Sequence, residues 1–141
     1  MLSKLEENKL LSAIRKAEKL TSGEIRVHIQ KSCGENPMED AIEKFDAMGL
    51  WKTRERNGVL FFVAVEDHKF AIIGDKGIQE KAGDNLWDEI KMKMQEKFRQ
   101  GELANGLILG VERAGKALSD FFPRQKDDVN ELPDDISIQR D

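Results

Sequence analysis

Arg56-Asn57-Gly58-Val59-Leu60-Phe61-Phe62-Val63-Ala64-Val65, with the return from Lys69 to Gly74-Asp75-Lys76-Gly77, decides the fold. Residues 59–65 are apolar at every position, so a strand here needs cover on both faces, as in the centre of a layered α/β domain. With Asp67-His68 as the turn, Gly58 would stand opposite Gly77 and Leu60 opposite Asp75. Both outer ends of the hairpin, Asn57-Gly58 and Asp75-Lys76-Gly77, then reach one edge of the sheet.

Upstream, Leu10, Ile14 and Ala17 form the stripe of an amphipathic helix over 2–20, which Thr21-Ser22-Gly23 ends. Ile25, Val27 and Ile29 alternate with Arg26, His28 and Gln30, the period of a half-buried strand. A second helix is expected over 38–48. Downstream, 78–82 reads as a short helical turn, and Asp84 stands where it would cap a helix with Trp87, Ile90, Met94 and Phe98 on one stripe. A last helix spans about 102–121, with Gly106, Gly110 and Gly115 permitting close approach to the sheet. The expected architecture is α/β, a three-layer α/β/α sandwich with a mixed, mostly parallel central sheet. Residues 1–123 form its single domain and 124–141 a charged tail, mobile or loosely docked, in which Ile136-Ser137-Ile138 offers a short edge strand.

At 141 residues the chain suits one compact domain with its own core. Its charged fraction of 35% and net charge of -4 describe a well-solvated, mildly acidic protein, which disfavours nonspecific nucleic-acid binding. The single Cys33 excludes an intramolecular disulfide and any multi-cysteine metal site. No stretch approaches the roughly 20 apolar residues of a membrane span, and the N-terminus has no apolar signal core, so a cytoplasmic location is expected. Phosphate-loop, His-Glu-x-x-His and Gly-x-Ser-x-Gly patterns are absent. A helix-loop-helix calcium loop starting at Asp75 fails, because Gly77, Gln79 and Leu86 stand at its third, fifth and twelfth positions. His28 and His68 read as strand and turn residues, so a histidine dyad is not expected.

The chemistry therefore rests on convergence. A first strand parallel to the second brings Thr21 to Glu24 to the same edge as the hairpin ends, with Asp84 nearby. Glu24, Glu55, Asn57, Asp75 and Asp84 are then oxygen donors around accessible glycine carbonyls, the shell a hard divalent cation such as Ca²⁺ favours. Arg54 or Arg56, beside those acids, would hold a substrate phosphate. Each residue also has an ordinary reading: Asp84 as a helix cap, Glu24 on a solvated strand face, Asn57-Gly58 as a common turn dipeptide.

Thr21-Ser22-Gly23-Glu24-Ile25-Arg26-Val27, Thr53-Arg54-Glu55-Arg56-Asn57-Gly58-Val59-Leu60, Gly74-Asp75-Lys76-Gly77 and Gly83-Asp84-x-x-Trp87 resemble, in this order, the TPM domain family. The resemblance covers about residues 20–123. It implies a Rossmann-like α/β/α sandwich, in a family where some members bind calcium and some plant members are described as acid phosphatases in photosystem repair. By position, the loop 74–77 and Asp84 match the family's site region, with Asn57-Gly58 alongside. Many relatives carry an export signal and a membrane span or glycine-rich tail, which this sequence does not show. The leading expectation is calcium binding around Gly74–Asp84 with a regulatory or repair-accessory role, the partners being a metal ion and a protein. The alternatives are a metal-assisted phosphatase acting on a phosphorylated small molecule, and a non-enzymatic protein-interaction module.

Open α/β sheets bind ligands beyond the carboxyl ends of their parallel strands, here 30–34 and 66–67, whereas the matched motifs collect at the opposite edge.

Overall fold

In a computed structural model, residues 1–125 and 136–139 are described. The elements run α1 (Lys4–Glu18), β1 (Glu24–Gln30), α2 (Pro37–Ala47), a 3₁₀ turn (Leu50–Lys52), β2 (Gly58–Ala64), β3 (Lys69–Gly74), α3 (Lys76–Ala82), α4 (Asn85–Arg99), α5 (Leu103–Phe121) and β4 (Ile136–Ile138). Local signals start the helices. Ser3 and Glu6 form a reciprocal capping box at α1, and Asn36 caps α2 ahead of Pro37.

The sheet order is β3-β2-β1-β4. β1 is parallel to β2 and to β4, and β3 returns antiparallel to β2. Ile25, Val27, Ile29, Val59, Phe61, Val63 and Ile72 face one large core with α1, α4 and α5. Phe62, Ala64 and Ala71 face α2 through Ala41, and Leu60 packs with Phe45 and Leu50. These are the three layers of an α/β/α sandwich. β2 is buried along its whole length, as its unbroken apolar sequence requires.

The hairpin register differs from expectation by two residues. Leu60 pairs with Ile73 and Val59 with Gly74, while the Asp75 amide donates to the Gly58 carbonyl at 3.0 Å. Residues 65–68 make the turn, with His68 in the left-handed region at φ 55°. The Val65 and Glu66 amides instead donate to the carbonyls of Gln30 and Lys31, so the chain follows β1 beyond the last β2 residue. Because the slip is an even number, every side chain keeps its face.

β1 departs further from the sequence reading. Its alternate polar face is not solvated: Glu24, Arg26 and His28 are each 2% exposed or less. The short turn expected at 78–82 is a full α3 from Lys76. The glycines of α5 also serve helix packing, since a Cβ on Gly115 would lie 2.6 Å from that of Ala17, and one on Gly110 would meet both Met94 and Phe61. The expected edge strand is present at 136–138, whereas most of the expected loosely docked tail lies outside the described residues. No helix among the described residues is long and apolar enough to cross a membrane.

Candidate functional site

The amino-end rim of the sheet is built from three segments whose local chemistry locks them together. Thr53 is buried, and its Oγ1 accepts the Asn57 amide at 3.0 Å, tightening the loop that feeds β2. Within that loop Arg56 adopts φ 51°, a left-handed conformation. The Arg56 carbonyl accepts the Gly77 amide at 2.9 Å, where a Cβ on Gly77 would run into the Glu55 carbonyl. Glycine is thus required at 77 by close approach of two backbones. The third segment, 21–24, is fixed by Thr21, whose hydroxyl serves the carbonyls of Leu118 and Phe122 at the end of α5.

Ser22, Glu55 and Asn57 form one polar cluster. The Ser22 hydroxyl donates to Glu55 Oε2 at 2.9 Å, and Asn57 Nδ2 reaches Ser22 Oγ at 3.1 Å and Glu55 Oε2 at 3.4 Å. Asn57 is 1% exposed, and its Oδ1 has no hydrogen-bond partner. A buried amide oxygen without a donor costs stability unless something electropositive meets it. The cluster lines a cavity of about 350 Å³ with Arg54, Lys81, Phe121, Phe122, Pro123 and Gln125. Lys81 Nζ sits 4.5 Å from the centre of the Phe122 ring and donates to the Phe121 carbonyl.

The other expected ligands are engaged elsewhere. Asp75 caps α3 by accepting the Lys76 amide at 2.8 Å and is held by Arg56 through two hydrogen bonds. That contact raises the Arg56 guanidinium above its ordinary range. Glu24 points into the buried polar face of β1, where its Oε2 accepts from Arg26 at 3.0 Å, and Arg26 also reaches Glu18 at 2.9 Å. Asp84 bonds to Gln79 and lines a separate groove with Gly74, Trp87, Met38 and Ile42. It occupies the cap position of α4 without a side-chain capping bond.

The expected five-donor shell therefore divides. Glu55 and Asn57 stay together, Asp75 stands beside them bound to Arg56, and Glu24 and Asp84 turn away. Among the described residues, no group of three or more His, Cys, Asp or Glu side chains is placed to hold a metal. What remains is one carboxylate, one partnerless amide oxygen and one hydroxyl. These are hard donors of low total charge, which fit a weak oxygen-liganded cation site. Of the two candidate arginines, Arg54 lines the cavity and Arg56 is committed to Asp75.

Sequence reasoning missed the far wall, Lys81 and residues 121–123. An antiparallel bridge between Thr21 and Pro123 brings 121–123 across, which no local pattern announces, and α3 supplies Lys81. Ser22 had a signal, because it lies inside the Thr-Ser-Gly-Glu motif.

Comparison with known proteins places this geometry in context. The family model described as "TPM domain" matches residues 1–117. The NMR structure of BA42 from the psychrophilic bacterium Bizionia argentinensis is similar at 45% identity and a TM-score of 0.92, covering 99% of this chain and 96% of that one. The N-terminal domain of a protein from P. gingivalis aligns at 23% identity and a TM-score of 0.70 over 86% of this chain and 78% of its own. The N-terminal domain of cg2496 from Corynebacterium glutamicum aligns at 15% identity and a TM-score of 0.67, over 96% and 80%. The last two likenesses speak to the fold alone. No curated protein matches the chain.

Proposed function

We propose, from the premise that the chain belongs to the TPM domain family, that it binds a divalent cation, calcium, at the amino-end rim of its sheet. Glu55, Asn57 and Ser22 would hold the ion, with the Asp75–Arg56 pair fixing the loop beside them. The observation that carries this reading is Asn57 Oδ1, buried and without a donor, on the amide whose Nδ2 lies 3.4 Å from Glu55 Oε2. A bound cation supplies positive charge that satisfies both oxygens and joins the loop 53–57 to the start of β1. Its role is regulatory: ordering a surface on which a protein partner docks. With one carboxylate in the set, affinity should lie at the weak end for calcium sites, about 10⁻⁴–10⁻³ M.

A calcium titration of the full chain, followed by backbone amide NMR, tests this. Shifts should appear first at Ser22, Glu55 and Asn57 and be lost in Glu55→Gln, while Asp84→Asn leaves them intact. Absence of saturable shifts at millimolar calcium, or binding that survives Glu55→Gln unchanged, would overturn it.

A second reading, a metal-assisted phosphomonoesterase, is favoured by one observation: Arg54 and Lys81 line the same cavity as Glu55 and Asn57. Two cations would hold the phosphate, and a bound divalent ion would polarise it. Hydrolysis of p-nitrophenyl phosphate that disappears in Arg54→Ala supports this reading, and activity indifferent to that change removes it.

A further inference from the structure

The opposite edge of the sheet carries a second cavity, of about 460 Å³, at the carboxyl end of β2. It lies between the β2–β3 turn, the last turns of α4 and the first residue of α5. We propose that this groove binds a small amphipathic carboxylate, an acyl or aryl acid with an apolar body and one anionic head.

The floor is apolar. Val63 is 4% exposed, and Phe70 and Phe98 meet edge-on with centroids 4.9 Å apart, closed at one end by Leu103. The volume lies within the roughly 300–1,000 Å³ of small-molecule sites, and a floor of this kind favours an apolar ligand body.

The ionisable groups lining the cavity are all basic: His68, Lys69 and Arg99. Of the two acids in the turn, Glu66 is exposed and Asp67 is turned to the other side, where its Oδ2 accepts the Cys33 amide at 2.8 Å. Lys69 turns its ammonium to that same side, donating to the Glu35 carbonyl at 3.1 Å, so the anionic head falls to Arg99 and His68. Arg99 is exposed and has no ion pair among the described residues. Its planar fork matches a carboxylate bidentately, which selects an acid over a neutral amphiphile. The position also agrees with the general tendency of open α/β sheets to bind ligands beyond the carboxyl ends of parallel strands. None of these residues belongs to the amino-end rim, so the two sites can be tested independently.

The test uses octanoate and octanamide, which share an apolar body and differ in charge, added to the full chain and followed by amide NMR. Octanoate should give saturable shifts at Val63, Phe70, Phe98 and Leu103, and octanamide should bind several-fold more weakly. The substitution Arg99→Gln, at an exposed position, should weaken octanoate by about five-fold or more through loss of a charge-assisted contact, with the melting temperature kept. Equal binding of acid and amide, octanoate binding unchanged in Arg99→Gln, or shifts that do not saturate would each overturn the proposal.

Discussion

Arg56 and Asp75 meet side-on, Nε donating to Oδ2 at 2.7 Å and Nη2 to Oδ1 at 3.0 Å, so one guanidinium occupies both oxygens of a carboxylate. Asp75 is 8% exposed and also caps α3, while Arg56 sits on the loop that enters β2. The pair therefore latches two segments that are adjacent only because of the hairpin register.

Asp75→Ala removes cap and latch together, whereas Asp75→Asn keeps an oxygen for the Lys76 amide and loses the charge. The alanine variant should lose about 1–2 kcal/mol of stability, and the asparagine variant less. Urea unfolding of both checks the order. Equal midpoints for Asp75→Ala and the unaltered protein would show that neither contact matters.

Gly77→Ala should cost about 1–3 kcal/mol, because the added methyl meets backbone, which cannot swing aside. Its damage should be directional, moving the amides of Glu55, Arg56 and Asn57. Gly34→Ala is the control: its Cβ would be 3.7 Å from a movable Asp40 oxygen, so stability should barely change. Melting temperatures of the two variants decide whether close approach at 77 is the cause.

Arg26 joins Glu18 and Glu24 within the fold, with its side chain 3% exposed, and Glu18 also takes the Ile25 amide at 2.7 Å. Arg26→Ala strands two buried carboxylates and should destabilise by about 3–5 kcal/mol. Replacing one acid, as in Glu24→Gln, should cost less, since Glu18 still balances the guanidinium. A double-mutant cycle between positions 24 and 26 measures the coupling, and additive effects would show that the pair is energetically inert.

The same residues mark how far the sequence could be read. The apolar run 59–65 announced a central strand because burial on both faces leaves no other interpretation, and Asp75 and Asn57 came to the expected edge because strand direction dictates it. Glu24 misled because alternation assigns a face and says nothing of what covers it. Here an ion network seals that face, and its partner Glu18 comes from the end of α1. Asp84 misled for a related reason: nearness in sequence to α3 does not fix which groove a side chain enters. Phe122 was invisible because it reaches the rim beside the Thr21–Pro123 bridge, a contact between distant parts of the chain, and Lys81 because it comes from α3, where only a short turn was expected.

His28 lies on the same sealed face, its Nδ1 2.9 Å from Ser137 Oγ on β4 and its Nε2 2.8 Å from Gln30 Oε1, stacked on Phe62. Burial depresses its pKa below the ordinary 6.5, the Gln30 contact opposes that shift, and Lys44 adds to it. The unfolded chain therefore takes up the proton first as pH falls. The contribution of neutral His28 to stability is full above its unfolded pKa and lost as pH falls through the lower folded value. The unaltered protein should thus lose stability between about pH 7 and pH 5, and His28→Asn should remove part of that slope. Urea midpoints across this range measure the difference. Because His28 touches β4 through Ser137, acidification should also loosen the 136–138 pairing first, seen as faster amide exchange at Ile138 than at Phe61. Parallel slopes in the two proteins would show that His28 does not carry the effect.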